Sequence, residues 1–135
     1  MEAHFSAELW IVDHQDFWRT LSVDALRSAG FFIQDYKEYS EVLSASYNSK
    51  PDLVLLGCIT SQAEERDLLQ KLARRGWLVV VFASSLSVAD LRDFFHAGAV
   101  NVVERPRSAE ELLSVVCADL ASRRESMPGQ LFGEL

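Results

Sequence analysis

The sequence predicts an α/β fold, a doubly wound five-stranded parallel sheet with helices on both faces. Three observations carry this. Strand-like and helix-like segments alternate five times along the 135 residues. Residues 9–12, 53–56 and 77–82 are wholly apolar, as strands covered on both sides are. Glycines and hydroxyl caps punctuate the helical segments.

Taken in order, residues 9–12 are the first strand. Residues 16–29 follow as a helix, with Phe17, Leu21 and Ala25 on one stripe and Gly30 closing it. Residues 31–35 form a shorter strand and residues 40–48 a short helix opened by Ser40. Lys50-Pro51-Asp52 turns the chain into the third strand, which ends at Gly57. Residues 62–75 are the third helix, burying Leu68, Leu69, Leu72 and Ala73, and Gly76 stops it. The Val-rich fourth strand covers residues 77–82. The fourth helix, residues 87–97, turns Val88, Leu91 and Phe95 inward and ends at Gly98. Residues 100–103 are the fifth strand. Ser108 opens the last helix, with Glu111 completing a capping box. Ala109, Leu112, Leu113, Val116 and Leu120 give that helix its 3.6-residue period. After Arg124 the period is lost, and Pro128-Gly129 suggests a flexible tail. One domain is expected over residues 1–124, with a tail at 125–135 and no room for a DNA-binding domain.

The formal net charge of −7 argues against a general nucleic-acid surface. Arg74-Arg75, Arg105-Pro106-Arg107 and Arg123-Arg124 are short and sit among acids. The N-terminus has no long apolar run, so neither a secretory signal nor a membrane span is expected there. Cys58 and Cys117 fall in unrelated contexts and read as reduced thiols of a cytoplasmic protein. His4, His14 and His96 lack metal-ligand spacing, and His96 suits the dipole at the end of its helix. Cys58 reads as an inert cysteine, the competing reading being a nucleophile activated by the next helix. Trp10, Trp18 and Trp77 read as core.

In a doubly wound sheet the loops after the strands converge on one rim. That rim collects Asp13, His14 and Asp16, then Gly57 and Cys58, then Ala83, Ser84 and Ser85, then Arg105 and Pro106. This set resembles the receiver domains of bacterial two-component response regulators. The resemblance covers residues 9–124. It rests on "LWIVDHQ" for the strand ending in an acidic pair and on "PDLVLLG" for the strand bearing the phosphoacceptor aspartate. It rests also on "HAGAVNVVERP" for the Ala-Gly-Ala turn and the Lys-Pro closing the fifth strand. It implies a flavodoxin-like (βα)5 fold with strand order 2-1-3-4-5.

The family's chemistry does not carry over. Gly57 stands at the phosphoacceptor, His14 in the acidic pair, Ala83 at the hydroxyl position, Val102 at the aromatic switch and Arg105 at the lysine. Phosphoryl transfer needs an oxygen nucleophile, and glycine has none. Magnesium prefers several oxygen ligands; Asp13 alone is a weak site, and Asp16 is better placed as a helix N-cap. No metal or other cofactor is expected. Two readings stand for the pocket. In one, Arg105 pairs with Asp13 and replaces the metal. In the other, Arg105 points to solvent and Asp13 caps the nearby helix.

The vestigial pocket is thus Asp13, His14, Gly57, Ala83, Ser84 and Arg105. The resemblance implies function through the fourth helix, fifth strand and fifth helix, here Asp90, Arg92, Asp93, Glu104, Arg107, Glu110 and Glu111. The expectation is a phosphorylation-independent signalling module that binds a protein partner or a second copy of itself, without nucleic acid, membrane or enzymatic activity. The alternative is a small-molecule or anion sensor in which Arg105, Ser84 and Ser85 bind the ligand.

Overall fold

A computed structural model describes residues 7–58 and 63–133, with side chains described as far as residue 122. Five strands, β1 (Glu8–Val12), β2 (Phe32–Tyr36), β3 (Leu53–Cys58), β4 (Val79–Ala83) and β5 (Asn101–Glu104), form one sheet in the order β2-β1-β3-β4-β5. Every pairing is parallel. The helices are α1 (Asp16–Ser28), α2 (Tyr39–Ala45), α3 (Ala63–Arg74), α4 (Val88–Ala97) and α5 (Ala109–Gly133). Two units make up the chain, Met1–Arg105 with the whole sheet and Pro106–Leu135 with α5.

The central strands are buried end to end, because a parallel strand has a hydrophobic layer on each side. Alternate residues of β1, β3 and β4 share a core with side chains of α2, α3 and α4. Trp10, Val12, Val54, Leu56, Val79 and Val81 meet Val42, Leu68, Leu69, Leu72 and Phe94 there. Trp10 and Trp77 cross edge to face at 5.2 Å, which confirms both as core.

Two helices rotate differently from expectation. In α1 the buried residues are Val23 and Leu26, while Phe17 is exposed and packs edge-on against Trp18 at 5.3 Å. In α4 the core takes Phe94 and Ala97, leaving Val88, Leu91 and Phe95 79%, 36% and 45% exposed. Each helix carries two apolar stripes, and periodicity alone does not say which one the sheet covers.

Local caps also differ. Asp16 is the first residue of α1, not its cap; Gln15 holds the cap position. The helix α2 opens at Glu38, whose N–H donates to Glu41 Oε1 at 3.2 Å, two residues before the expected Ser40 cap. At α4 the closing glycine is as expected, and Ser87, read as the first helical residue, is the N-cap. Ser87 Oγ accepts from the Asp90 N–H at 3.0 Å, and Gly98 closes the helix with φ of 118°. In the other unit, Ser108 Oγ accepts from the Glu111 N–H at 3.2 Å. The backbone of α5 stays helical to Gly133, past Arg124, where the apolar period ends.

Candidate functional site at the strand rim

Asp13 leaves β1 at the centre of the rim and is buried. Gly57, the fifth residue of β3, pairs with Phe82 of β4. Arg105 directly follows β5, and its N–H donates to the Ala83 carbonyl at 2.9 Å, so β4 fixes where the guanidinium starts. From there Arg105 reaches Asp13 with both terminal nitrogens, Nη1 to Oδ2 at 2.6 Å and Nη2 to Oδ1 at 3.2 Å. The two side chains are only 7% and 6% exposed. Nε of Arg105 donates to Ser84 Oγ at 2.9 Å, and the Trp18 ring lies 5.5 Å from the guanidinium carbon. This planar, forked arrangement is one that an ammonium does not reproduce.

Of the two sequence readings of Asp13, the structure has the ion pair and not the helix cap, since α1 has Gln15 at its N-cap and no side-chain cap bond. Asp13 pairs with Arg105, and its Oδ1 also accepts the Gln15 N–H at 3.0 Å beside the start of α1. Arg105 does not point to solvent. Arg19 Nη1 anchors the same loop by donating to the Asp13 carbonyl at 2.8 Å.

The glycine explains why the pair fits. A Cβ at Gly57 would lie 2.3 Å from Asp13 Oδ2 and 3.0 Å from Arg105 Nη2. The Asp13 carboxylate therefore occupies the volume that a side chain on β3 would need.

Asp13, Gly57, Ser84 and Arg105 thus come together as expected. His14 turns away, stacking on Tyr39 with ring centroids 4.4 Å apart. Ala83 is a buried strand residue. Sequence reasoning missed Trp18, assigned to the core, and Arg19, which also pairs with Asp16 at 2.6 Å and Asp35 at 3.3 Å. Asp16, an exposed residue, has its carboxyl held below the usual range, first by the Arg19 hydrogen bond and then by the Lys37 charge. The missed signal was the position of both residues in the first turn after Asp13, where a helix leaving the rim turns side chains back over it.

The residues present do not fit a magnesium ion. Both Asp13 oxygens are committed to N–H donors, and among the described residues no group of three or more His, Cys, Asp or Glu converges as a metal site.

Cys58 ends β3 instead of opening a loop, and it is buried. Burial first, then the neighbouring Glu65 carboxylate, push its thiol far above the ordinary range, the opposite of the shift that activates a nucleophilic cysteine. The Tyr39 hydroxyl, donating to Glu65 Oε2 at 3.4 Å, is pushed up first by burial and then by Cys58 and Glu65. Both shifts make stability fall at alkaline pH. Above about pH 8.5 an unfolded thiol releases a proton that the native one keeps, and tyrosine joins above about pH 10. Each group should cost about 1.4 kcal/mol per pH unit beyond its own threshold. Urea unfolding between these limits should show the slope, and Cys58→Ala should remove its first part. An unchanged slope in that variant would refute the assignment.

No family model matches the sequence, and no curated protein matches it. Solved structures match in fold. A CheY-like response regulator receiver domain protein from Methanospirillum hungatei JF-1 superposes with a TM-score of 0.78 at 20% identity, covering 90% of this chain and 98% of that one. A response regulator from Thermotoga maritima gives 0.76 at 21% identity, covering 84% and 96%. NtrX from Brucella abortus gives 0.82 at 20% identity, covering 94% of this chain and 29% of its own. The fold is that of CheY-like response-regulator receiver domains. Its strand order, β2-β1-β3-β4-β5, is the one that the motif resemblance implies.

Proposed function

We propose that the chain is a receiver-like module of a bacterial two-component or related regulatory system, and that it works by protein contact without phosphorylation or catalysis. One observation carries this reading: the Asp13 carboxylate, held by Arg105, fills the place of a side chain at Gly57. An acceptor group is lacking, and the carboxylate that would help hold a metal is already neutralised by a fixed cation. The module is read as cytoplasmic; no helix among the described residues is long and apolar enough to cross a membrane. Incubation with acetyl phosphate and magnesium should leave the intact mass unchanged. A phosphate adduct that hydroxylamine removes would overturn the proposal.

The anion-sensor reading loses support at Arg105. All three of its side-chain nitrogens already donate, to Ser84 and Asp13, so an anion would have to break the pair first.

Contact is better served by α4. Val88, Leu91 and Phe95 form an exposed apolar ridge there, the part of the expected interaction face that sequence reasoning turned inward. Of the charged residues named for that face, Asp90 is spent on its own helix cap, Ser87 N–H donating to it at 3.3 Å. Asp93 faces α3, while Arg92 and Glu104 remain exposed. In the other unit Arg107, Glu110 and Glu111 are exposed, and Glu111 Oε1 accepts the Arg107 N–H at 2.7 Å. Arg92 on α4 and Glu104 at the end of β5 offer opposite exposed charges in the unit that carries the ridge, and the occupant is read as a second copy of this chain. Sedimentation should show a dimer that Phe95→Asp dissociates. A parent protein that stays monomeric at high concentration would sink the dimer.

A further inference from the structure

One short stretch of chain, residues 15–19, converges on the Asp13–Arg105 pair through three contacts. The Gln15 N–H donates to Asp13 Oδ1 at 3.0 Å, and Arg19 Nη1 donates to the Asp13 carbonyl at 2.8 Å. The Trp18 ring stands over the Arg105 guanidinium, its centroid 5.5 Å from the central carbon. Trp18 is half-buried, yet the two charged side chains of the pair are only 7% and 6% exposed. An aromatic face holds a cation more strongly where water is excluded.

A fourth group of the same stretch works against closure. Gln15 Oε1 is buried, and among the described residues it has no hydrogen-bond partner. A buried acceptor without a donor loses the hydration that an exposed one keeps. Phe17, 71% exposed, lies on the outside and meets Trp18 edge-on at 5.3 Å. Three contacts thus hold the stretch shut, one orphaned acceptor opposes them, and an aromatic side chain projects to where a partner can touch it.

We infer that residues 15–19 are a strap that opens and closes over the Asp13–Arg105 pair. Trp18 is the positioning residue for the guanidinium, and Gln15 is the group that keeps opening easy. The use of the strap in signalling rests on the contact reading above: a partner that moves Phe17 reaches the rim pair through Trp18.

The test follows exchange of the Arg105 Nε proton with water by NMR, in the full-length protein. That proton donates to Ser84 Oγ and exchanges when the strap opens. Trp18→Leu should speed exchange about fivefold or more, the loss of a desolvated cation–π contact. Trp18→Phe, which restores a ring face, should recover part of the protection. Gln15→Met keeps the side-chain length and removes the orphaned acceptor, and it should slow exchange about threefold or more. Low urea should leave the Arg105 proton unchanged while it speeds exchange of the Leu55 amide in the buried strand β3, because a local opening exposes little surface. An Arg105 proton that follows Leu55 in urea would mean that only global unfolding frees it, and the strap would be refuted. Unchanged exchange in Trp18→Leu, or no slowing in Gln15→Met, would overturn the inference as well. The protein is measured alone and without a phosphate donor, so this outcome is separate from those of the acetyl phosphate and sedimentation tests.

Discussion

Gly57→Ala should lower the stability of the protein by about 2–4 kcal/mol, read as a drop in the urea midpoint at unchanged slope. An alanine is ordinarily welcome in place of a strand glycine, by roughly 0.5–1 kcal/mol, because it reduces the freedom of the unfolded chain. Here the new methyl group falls 2.3 Å from Asp13 Oδ2. The carboxylate must swing aside, leaving Arg105 and the Gln15 N–H without their acceptor. Breaking a buried ion pair costs about 3–5 kcal/mol, which outweighs the gain from the alanine. A variant as stable as the parent would mean that Asp13 relocates without loss. Gly57→Asp adds an acceptor oxygen and the same steric conflict. It should not form an aspartyl phosphate at ordinary rates, because His14, Ala83 and Arg105 still depart from the family pattern. Stable phosphorylation of that variant by acetyl phosphate would contradict this.

Arg105→Ala should cost about 3–5 kcal/mol, since it strands a buried carboxylate. Arg105→Lys should recover only part of this. An ammonium supplies charge without the planar fork that meets Asp13 twice and Ser84 once. A double-mutant cycle with Asp13→Asn isolates the pair: a coupling below about 0.5 kcal/mol would show that the arginine acts through Trp18 and Ser84 instead.

The fold was legible because parallel strands need apolar residues on both faces and the helices between them are punctuated by Gly30, Gly76 and Gly98. The Asp13–Arg105 pair was legible as one of two readings, because a missing side chain at Gly57 leaves both space and an unbalanced charge pattern. What could not be read was rotational phase. Phe17 with Leu21 and Ala25, and Val88 with Leu91 and Phe95, are regular stripes, yet the sheet covers Val23 and Leu26 in one case and Phe94 and Ala97 in the other. Trp18 was hidden for the same reason: an aromatic residue in a first helical turn serves the core or the rim according to that phase.

Asp13 and Arg105 stand 92 residues apart in the chain, and β1, β4 and β5 must all be in place before they meet. Closing so long a loop is entropically costly, so the contact belongs to the last stage of assembly. Interactions absent from the folding barrier act as a brake on escape from the native basin. The clasp therefore governs how long a molecule persists once made, and its removal should steepen decay far more than it slows birth.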